Sequence, residues 1–245
     1  FATLGLTPSP LLDAISAASL RKISDFSAQG LTNPAWAWAT LALRDRPLRA
    51  AIAAAAISRI TAEPEWGPQH LANTAWAFAP LGERHLPLLA AISSSSIRPI
   101  TAFGPQGLSN TAWACALLAF EAPPLLAAIA AASIAPISQL QPQHLANTAW
   151  SCAPLSLVHG PLLDAIAAAA IATITEFDGQ ALANTALSFA ALGLSDYRPL
   201  LDAIAAAAIA TISDLEAQAS QQLLDVCGEL LLAGGLRPTP PSRAP

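Results

Sequence analysis

Several features of ordinary soluble proteins are scarce in this chain of 245 residues. It has no methionine and one tyrosine, and only 11% of its residues are charged, against about 25% in typical soluble domains. Hydrophobic residues make up 54% of the chain and the formal net charge is only −5, which excludes disorder for most of its length. The sequence pI of about 5.2 excludes a strongly basic nucleic-acid binder.

Long apolar runs and enzyme motifs are also missing. The longest uncharged apolar stretch, Ala122–Ile137, has 16 residues, whereas a membrane-spanning helix needs about 20. The sequence contains no glycine-rich phosphate loop, no paired-carboxylate motif and no Cys-x-x-Cys pair. We therefore predict no membrane span, no enzymatic activity, no cofactor and no small-molecule substrate.

What the chain does contain is a repeat, rich in alanine, with a period of 37 to 40 residues. The hexapeptide Leu-x-Asn-x-Ala-Trp occurs four times, and in a fifth copy Leu187 replaces the tryptophan. Its asparagines are spaced by 40, 37, 37 and 37 residues: Asn33, Asn73, Asn110, Asn147 and Asn184. A fixed period of this length is typical of stacked repeat proteins.

Each repeat has the signals of two helices. The presumed N-caps of the first helix, with an apolar residue before each and a leucine four residues after it, are Ser27, Gly67, Gly104, Gln141 and Asp178. A sixth presumed cap, Glu216, has the apolar residue before it but no leucine after it. The second helix has the pattern Pro-Leu-Leu-x-Ala-Ile and is predicted to begin at its proline and to end at an isoleucine 13 residues later. A lone pair cannot bury its apolar face, so the sequence predicts an all-α, right-handed α-solenoid of about six two-helix repeats.

The repeat also predicts how the chain is divided. Residues 1–26 are expected to be a partial N-terminal repeat that starts in the middle of a helix, followed by five helical pairs over residues 27–215. A more polar helix at 216–235 is expected to cap the stack, before a flexible proline-rich tail at 236–245.

Histidine and cysteine do not form clusters in this frame. Histidines of one repeat fall at opposite ends of a helix, roughly 20 Å apart, which is too far for a shared metal or catalytic site. Three cysteines share one helical position in different repeats, and we expect them to be buried as small apolar residues. They are Cys115, Cys152 and Cys227.

One polar set does repeat in register. A glutamine, an asparagine and a tryptophan follow each cap at fixed spacing, within about 60° of one another around the helix. The amides that form the candidate RNA or partner-binding row are Gln69, Asn73, Gln106, Asn110, Gln143 and Asn147. The tryptophans, which we expect to pack between repeats as structural residues, are Trp36, Trp76, Trp113 and Trp150.

Two interpretations of the amide row are open. In the structural one, the asparagine amides bond to the backbone or to one another between layers. In the functional one, they contact RNA bases, as polar residues of successive helices do in repeat proteins that recognise RNA.

Charge is uneven along the chain. Residues 1–100 carry eight basic and six acidic groups, and residues 101–245 carry three basic and ten acidic groups. A polyanion should therefore prefer the N-terminal half. The arginines that are candidate RNA contacts there are Arg44, Arg46, Arg49, Arg84 and Arg98.

The motif Leu-Ala-Asn-Thr-Ala-Trp, followed by Pro-Leu-Leu, resembles the octotricopeptide repeat and the related helical repeats of FASTK-like and RAP-domain proteins. The resemblance covers residues 1 to about 230, although only one echo of the family's Pro-Pro-Pro-Glu-Trp signature occurs, at Pro64-Glu65-Trp66. It implies RNA binding, or a place in an organellar ribonucleoprotein such as a ribosome, in a mitochondrion or plastid. The alternative is a protein–protein scaffold, a structural subunit of a large respiratory or photosynthetic assembly.

Overall fold

The computed structural model describes residues 9–62, 66–80, 82, 84–210 and 224. The predicted capping helix, the tail and the start of the partial first repeat lie outside these residues, apart from Leu224, as does Cys227. In the described part every element is helical and no strand occurs. The α-helices are α1 (Ser9–Lys22), α2 (Ala28–Thr40), α3 (Arg46–Ala62), α4 (Pro68–Phe78), α5 (Leu86–Ile97), α6 (Pro105–Leu117), α7 (Pro123–Ile134), α8 (Pro142–Cys152), α9 (Gly160–Ala172), α10 (Gly179–Ala191) and α11 (Arg198–Ala210).

The helices form two layers, which confirms the predicted all-α solenoid of helical pairs. In the inner layer α2, α4, α6, α8 and α10 pack side by side in chain order. In the outer layer α1, α3, α5, α7, α9 and α11 do the same. Each inner helix also packs on the outer helix that follows it, so the apolar faces of the repeats are buried between the layers, in two clusters that both include residues of α7.

The start of each inner helix agrees with the sequence signals. The N-caps of α2, α4, α6, α8 and α10 are the five residues predicted, and proline occupies the first helical position of α4, α6 and α8. The leucine four residues after each cap is almost completely buried between the layers. These leucines are Leu31, Leu71, Leu108, Leu145 and Leu182.

The end of each inner helix is marked by a residue with positive φ. These residues recur at the repeat period: Ala42, Gly82, Ala119, Ser156 and Gly193. In the repeat of α6, the Phe120 amide donates to the Cys115 carbonyl at 2.8 Å and the Ala119 amide donates to the Ala116 carbonyl at 3.1 Å. This bonding closes the helix and turns the chain towards the outer layer.

The outer helices differ slightly from the prediction. Five of them begin one residue before the proline that is predicted as their start. These helices are α3, α5, α7, α9 and α11. The isoleucine predicted as the end of the helix instead opens a separate 3₁₀ turn in four repeats: Ile23–Asp25, Ile100–Ala102, Ile137–Gln139 and Ile174–Glu176. In two of these turns the residue before the isoleucine is proline, Pro99 or Pro136, whose missing N–H favours a break there.

Polar contacts between neighbouring repeats lie mainly on the outer side. Arg59 donates to the Ser24 carbonyl at 2.6 Å, and Arg84 donates to the Ala119 carbonyl at 2.9 Å. The Tyr197 hydroxyl donates to Asp164 at 2.7 Å, and this hydrogen bond is the main reason why the pKa of Tyr197 is raised to about 12. These contacts fix the spacing of repeats without using the amide row.

Candidate functional site

The amide row lies in one groove that runs across four successive inner helices. The groove has a volume of about 510 Å³. We call it the amide groove. Its lining residues are Thr32, Asn33, Trp36, Gln69, Asn73, Trp76, Gln106, Asn110, Gln143, His144 and Asn147. All six candidate amides of the sequence analysis therefore face the same space.

Three helices present their amides to the groove in the same way. In α4, α6 and α8 the glutamine, at the second helical position, is exposed, and the asparagine one turn later is half-buried. The residue after each asparagine is a buried threonine, whose hydroxyl donates to the backbone carbonyl one turn earlier at 2.7 Å. The threonine thus satisfies its own polar group inside the layer and leaves the asparagine alone at the surface.

The amide side chains of the groove have no hydrogen-bond partner among the described residues. Among the residues that the structure describes, no hydrogen bond joins a side-chain amide of the row to the backbone or to another amide. The ladder expected from the structural interpretation is therefore not formed. Each amide retains a donor NH₂ group and an acceptor oxygen for another partner.

The tryptophans lie beside the amides with unequal exposure. Trp76 and Trp113 are half-buried, with ring centroids 6.3 Å apart and ring planes inclined by 26°, so they stack between α4 and α6. Trp150 is also half-buried. Trp36 is 37% exposed and lines the groove together with Trp76. Trp76 and Trp113 therefore pack between repeats, whereas Trp36 presents aromatic surface at one end of the groove.

The starts of the inner helices add positive potential at the groove edge. The N-caps of α4, α6 and α8 are Gly67, Gly104 and Gln141, and none of them accepts a side-chain hydrogen bond from the first turn. By contrast, Ser27 caps α2 at 3.1 Å and Asp178 caps α10 at 2.7 Å. N–H groups in the first turn of a helix attract anions, and the second residue of each of these helices, Gln69, Gln106 or Gln143, lines the groove.

The groove ends where acidic residues begin. Beyond Gln143, a second depression of about 330 Å³ is lined by Glu176 and Asp178 at the start of α10. The fifth amide pair, Gln180 and Asn184, does not line the amide groove. The carboxylates repel anions, so a negatively charged ligand in the groove would stop at α8.

The candidate arginines lie away from the groove. Arg44, Arg46, Arg84 and Arg98 are exposed on the outer helices or the loops, and no arginine or lysine is among the described residues that line the groove. Arg49 differs from the expectation of a surface contact. It is only 5% exposed, with its guanidinium 5.2 Å from the centroid of the Phe78 ring, so it is a packing residue between α3 and α4.

Histidine has roles that the sequence analysis missed. His144 lines the groove, and partial burial lowers its pKa. His85 and His159 are N-caps, since the Nδ1 atom of each accepts a hydrogen bond from the first turn of α5 or α9. A sequence signal for these caps was present, because both histidines stand two residues before the helix proline, where Asp45 caps α3.

No group of three or more possible metal ligands occurs in the described ranges.

The cysteines within the described residues are buried. Cys115 and Cys152 lie in the inner layer as free thiols, and burial raises the pKa of each to about 12. A thiol with so high a pKa is a poor nucleophile at neutral pH.

Of the helices that the structure describes, none is long and apolar enough to cross a membrane.

Comparison with known families gives one match. A family model described as RNA-editing substrate-binding complex 6 protein matches residues 7–224, which is most of the chain. A search of curated proteins finds no match. The family is RNA-associated and helical, in agreement with the repeat architecture.

Proposed function

Because the chain belongs to the RNA-editing substrate-binding complex 6 family, we propose that it is a non-enzymatic subunit of such a complex and binds single-stranded RNA along the amide groove. The observation that carries the proposal is the groove itself, which aligns unpaired amides from four helices. We place the protein in the mitochondrion; the family match gives no support to a plastid location. The narrower resemblance to octotricopeptide repeats stays a prediction.

The chemistry of the groove suits bases more than phosphates. Repeat proteins that recognise RNA place two or three side chains of each repeat against one unstacked base. An amide offers a donor and an acceptor side by side, which complements the edge of a base. Trp36, at one end of the groove, offers a ring face on which a base can stack.

The RNA phosphates must be attracted by partial or distant charges, because no arginine or lysine is among the described residues that line the groove. The uncapped starts of α4, α6 and α8 supply partial positive charge. The exposed arginines of the N-terminal half add a distant field. We therefore expect modest affinity, with other subunits of the complex contributing contacts to the same RNA.

Protein contacts are expected on the other side of the solenoid. Large apolar side chains are exposed outside the groove, among them Leu86, Val158 and Ile209. A protein partner that covers these side chains would bury their apolar surface without occupying the groove. The scaffold function that is the alternative can thus coexist with RNA binding.

The test compares two charge-matched variants of the full chain. Gln69→Glu with Gln106→Glu puts two carboxylates into the groove, and Gln139→Glu with Ser58→Glu adds two carboxylates at exposed positions outside it. We expect the affinity for a single-stranded RNA of about 12 nucleotides to fall about tenfold in the groove variant and to stay nearly unchanged in the control. Fluorescence anisotropy measures both. Equal effects of the two changes, or no binding by the unmodified chain, would overturn the proposal.

A further inference from the structure

The arrangement of the amides in the groove also bears on which RNA sequences bind best. We infer that it selects a run of one repeated base over a mixed sequence. This inference rests on the proposed function, because it concerns the same groove. It follows from the equivalence of the binding positions along the groove and does not require the preferred base to be known.

Three of these positions are equivalent in structure as well as in sequence. The helices α4, α6 and α8 each present a glutamine at the second helical position and an asparagine four residues later, and all six side chains line the groove. The glutamines are exposed and the asparagines half-buried in every case. The pairs that form these three subsites are Gln69/Asn73, Gln106/Asn110 and Gln143/Asn147.

Equivalent subsites must share a preference. Two amides together can pair with several base edges, because each has one donor group and one acceptor. The base that fits best between Gln69 and Asn73 therefore also fits best between Gln106 and Asn110. With one base per helical repeat, the preferences of the subsites add, and the best ligand has the same base at successive positions.

The run should be short, because the equivalence ends at both sides. At one end α2 contributes Asn33 and Trp36, but Gln29 is not among the groove-lining residues. At the other end Leu187 replaces the tryptophan, and Asp178 and Glu176 line the neighbouring depression. Only the three central helices offer the complete pair.

Selection from a random library of single-stranded RNA tests this inference with the full chain. We expect the bound fraction to be enriched in runs of a single base. A substitution in the middle of the enriched run should weaken binding about tenfold. The double change Gln106→Ala with Asn110→Ala makes the middle subsite unlike its two neighbours. In this variant the base at the middle of the run should no longer be selected, with circular dichroism confirming that the variant is folded.

The outcomes separate this inference from the proposed function. Enrichment of a mixed motif, or of no motif, together with binding that still depends on the groove amides, would overturn the preference for runs and leave groove binding intact. Failure to bind any RNA would overturn both. Enrichment of uninterrupted runs that persists unchanged in the middle-subsite variant would show that the preference arises elsewhere, and would also overturn the inference.

Discussion

The three inner helices with complete amide pairs differ from the capped helices in how they begin. Three outer helices start with a capping side chain, Asp45, His85 or His159, which accepts a hydrogen bond from the first turn. Inner α2 and α10 are capped as well, whereas α4, α6 and α8, like outer α7, start without a capping side chain. A missing cap leaves N–H groups unsatisfied, which costs stability. The inner layer forgoes this stabilisation at the same helices that present complete amide pairs to the groove.

The two layers differ in what recurs. The inner face repeats its glutamine and asparagine from helix to helix, whereas an exposed arginine of the outer layer or loops recurs in one other repeat at most, as Arg44 does in Arg84. A recurring surface residue whose polar group has no partner within the protein is not explained by packing. This contrast suggests that the inner face binds an extended ligand and the outer face serves contacts that differ from repeat to repeat.

Substitution of the tryptophans tests whether the side chains of the inner face also stabilise the fold. Changing Trp113 to Ala removes a half-buried ring stacked on Trp76, and we expect a loss of about 3 kcal/mol in the free energy of unfolding. Changing the more exposed Trp36 to Ala should cost less, about 2 kcal/mol, since less of its surface is buried. Chemical denaturation measures both. Equal losses would show that the two rings have the same structural role.

Removal of an outer cap should destabilise the fold. His85→Ala deletes the acceptor for the Leu88 amide, and we expect a loss of about 1 kcal/mol. His85→Asn keeps an acceptor at the cap and serves as the matched control, with little change expected in thermal melting. A similar loss in both variants would mean that the imidazole acts through packing and not as a cap.

Adding a cap to an inner helix should have the opposite effect on stability and a cost in binding. Gly104→Ser would cap α6, and a built Cβ at this position meets no atom within 4 Å. We expect a gain of a few tenths of a kcal/mol, about the difference between serine and glycine as N-caps. RNA affinity should fall, because the hydroxyl then occupies an N–H group at the start of α6, next to Gln106, which lines the groove. Unchanged affinity in the stabilised variant would argue against a role for the helix starts.

Charge reversal on the outer layer measures how much the arginines contribute. Arg44→Glu with Arg46→Glu changes two exposed residues outside the groove, so we expect RNA affinity to fall only about threefold, through long-range field effects that salt screens. Arg198→Glu, in the acidic half, should have less effect. A loss larger than that of the groove variant would place the main RNA contact on the arginines, as the charge distribution alone suggested.

The smallest effect concerns pH. His144 is the one titratable group among the described lining residues of the groove, and its pKa is lowered by burial. Folding therefore disfavours its protonation. The contribution of this residue to the free energy of unfolding is fully present above its unfolded pKa, and it is lost as the pH falls towards the lowered folded pKa. A nearby phosphate would reverse the shift. RNA affinity should rise about twofold between pH 7.5 and 6, and the rise should vanish in His144→Gln.

The sequence predicts the architecture well because its helix signals repeat. All five inner N-caps are confirmed, since an apolar residue, a cap and a leucine recur at fixed spacing. The outer helix ends were wrong, because a 3₁₀ turn and an α-helix share the same short apolar pattern. The groove could be foreseen only in part. Helical spacing puts the amides on one stripe, but neither their lack of partners nor the burial of Arg49 against Phe78 can be obtained from periodicity.

Mapping the RNA contacts directly is the sharpest test of the central claim. The full chain would be crosslinked by ultraviolet light to single-stranded RNA, and the attached peptides identified by mass spectrometry. The account predicts crosslinks in α2, α4, α6 and α8, at or beside the residues of the amide groove. Crosslinks confined to the outer helices, or to the loops that contain Arg44 and Arg84, would contradict it.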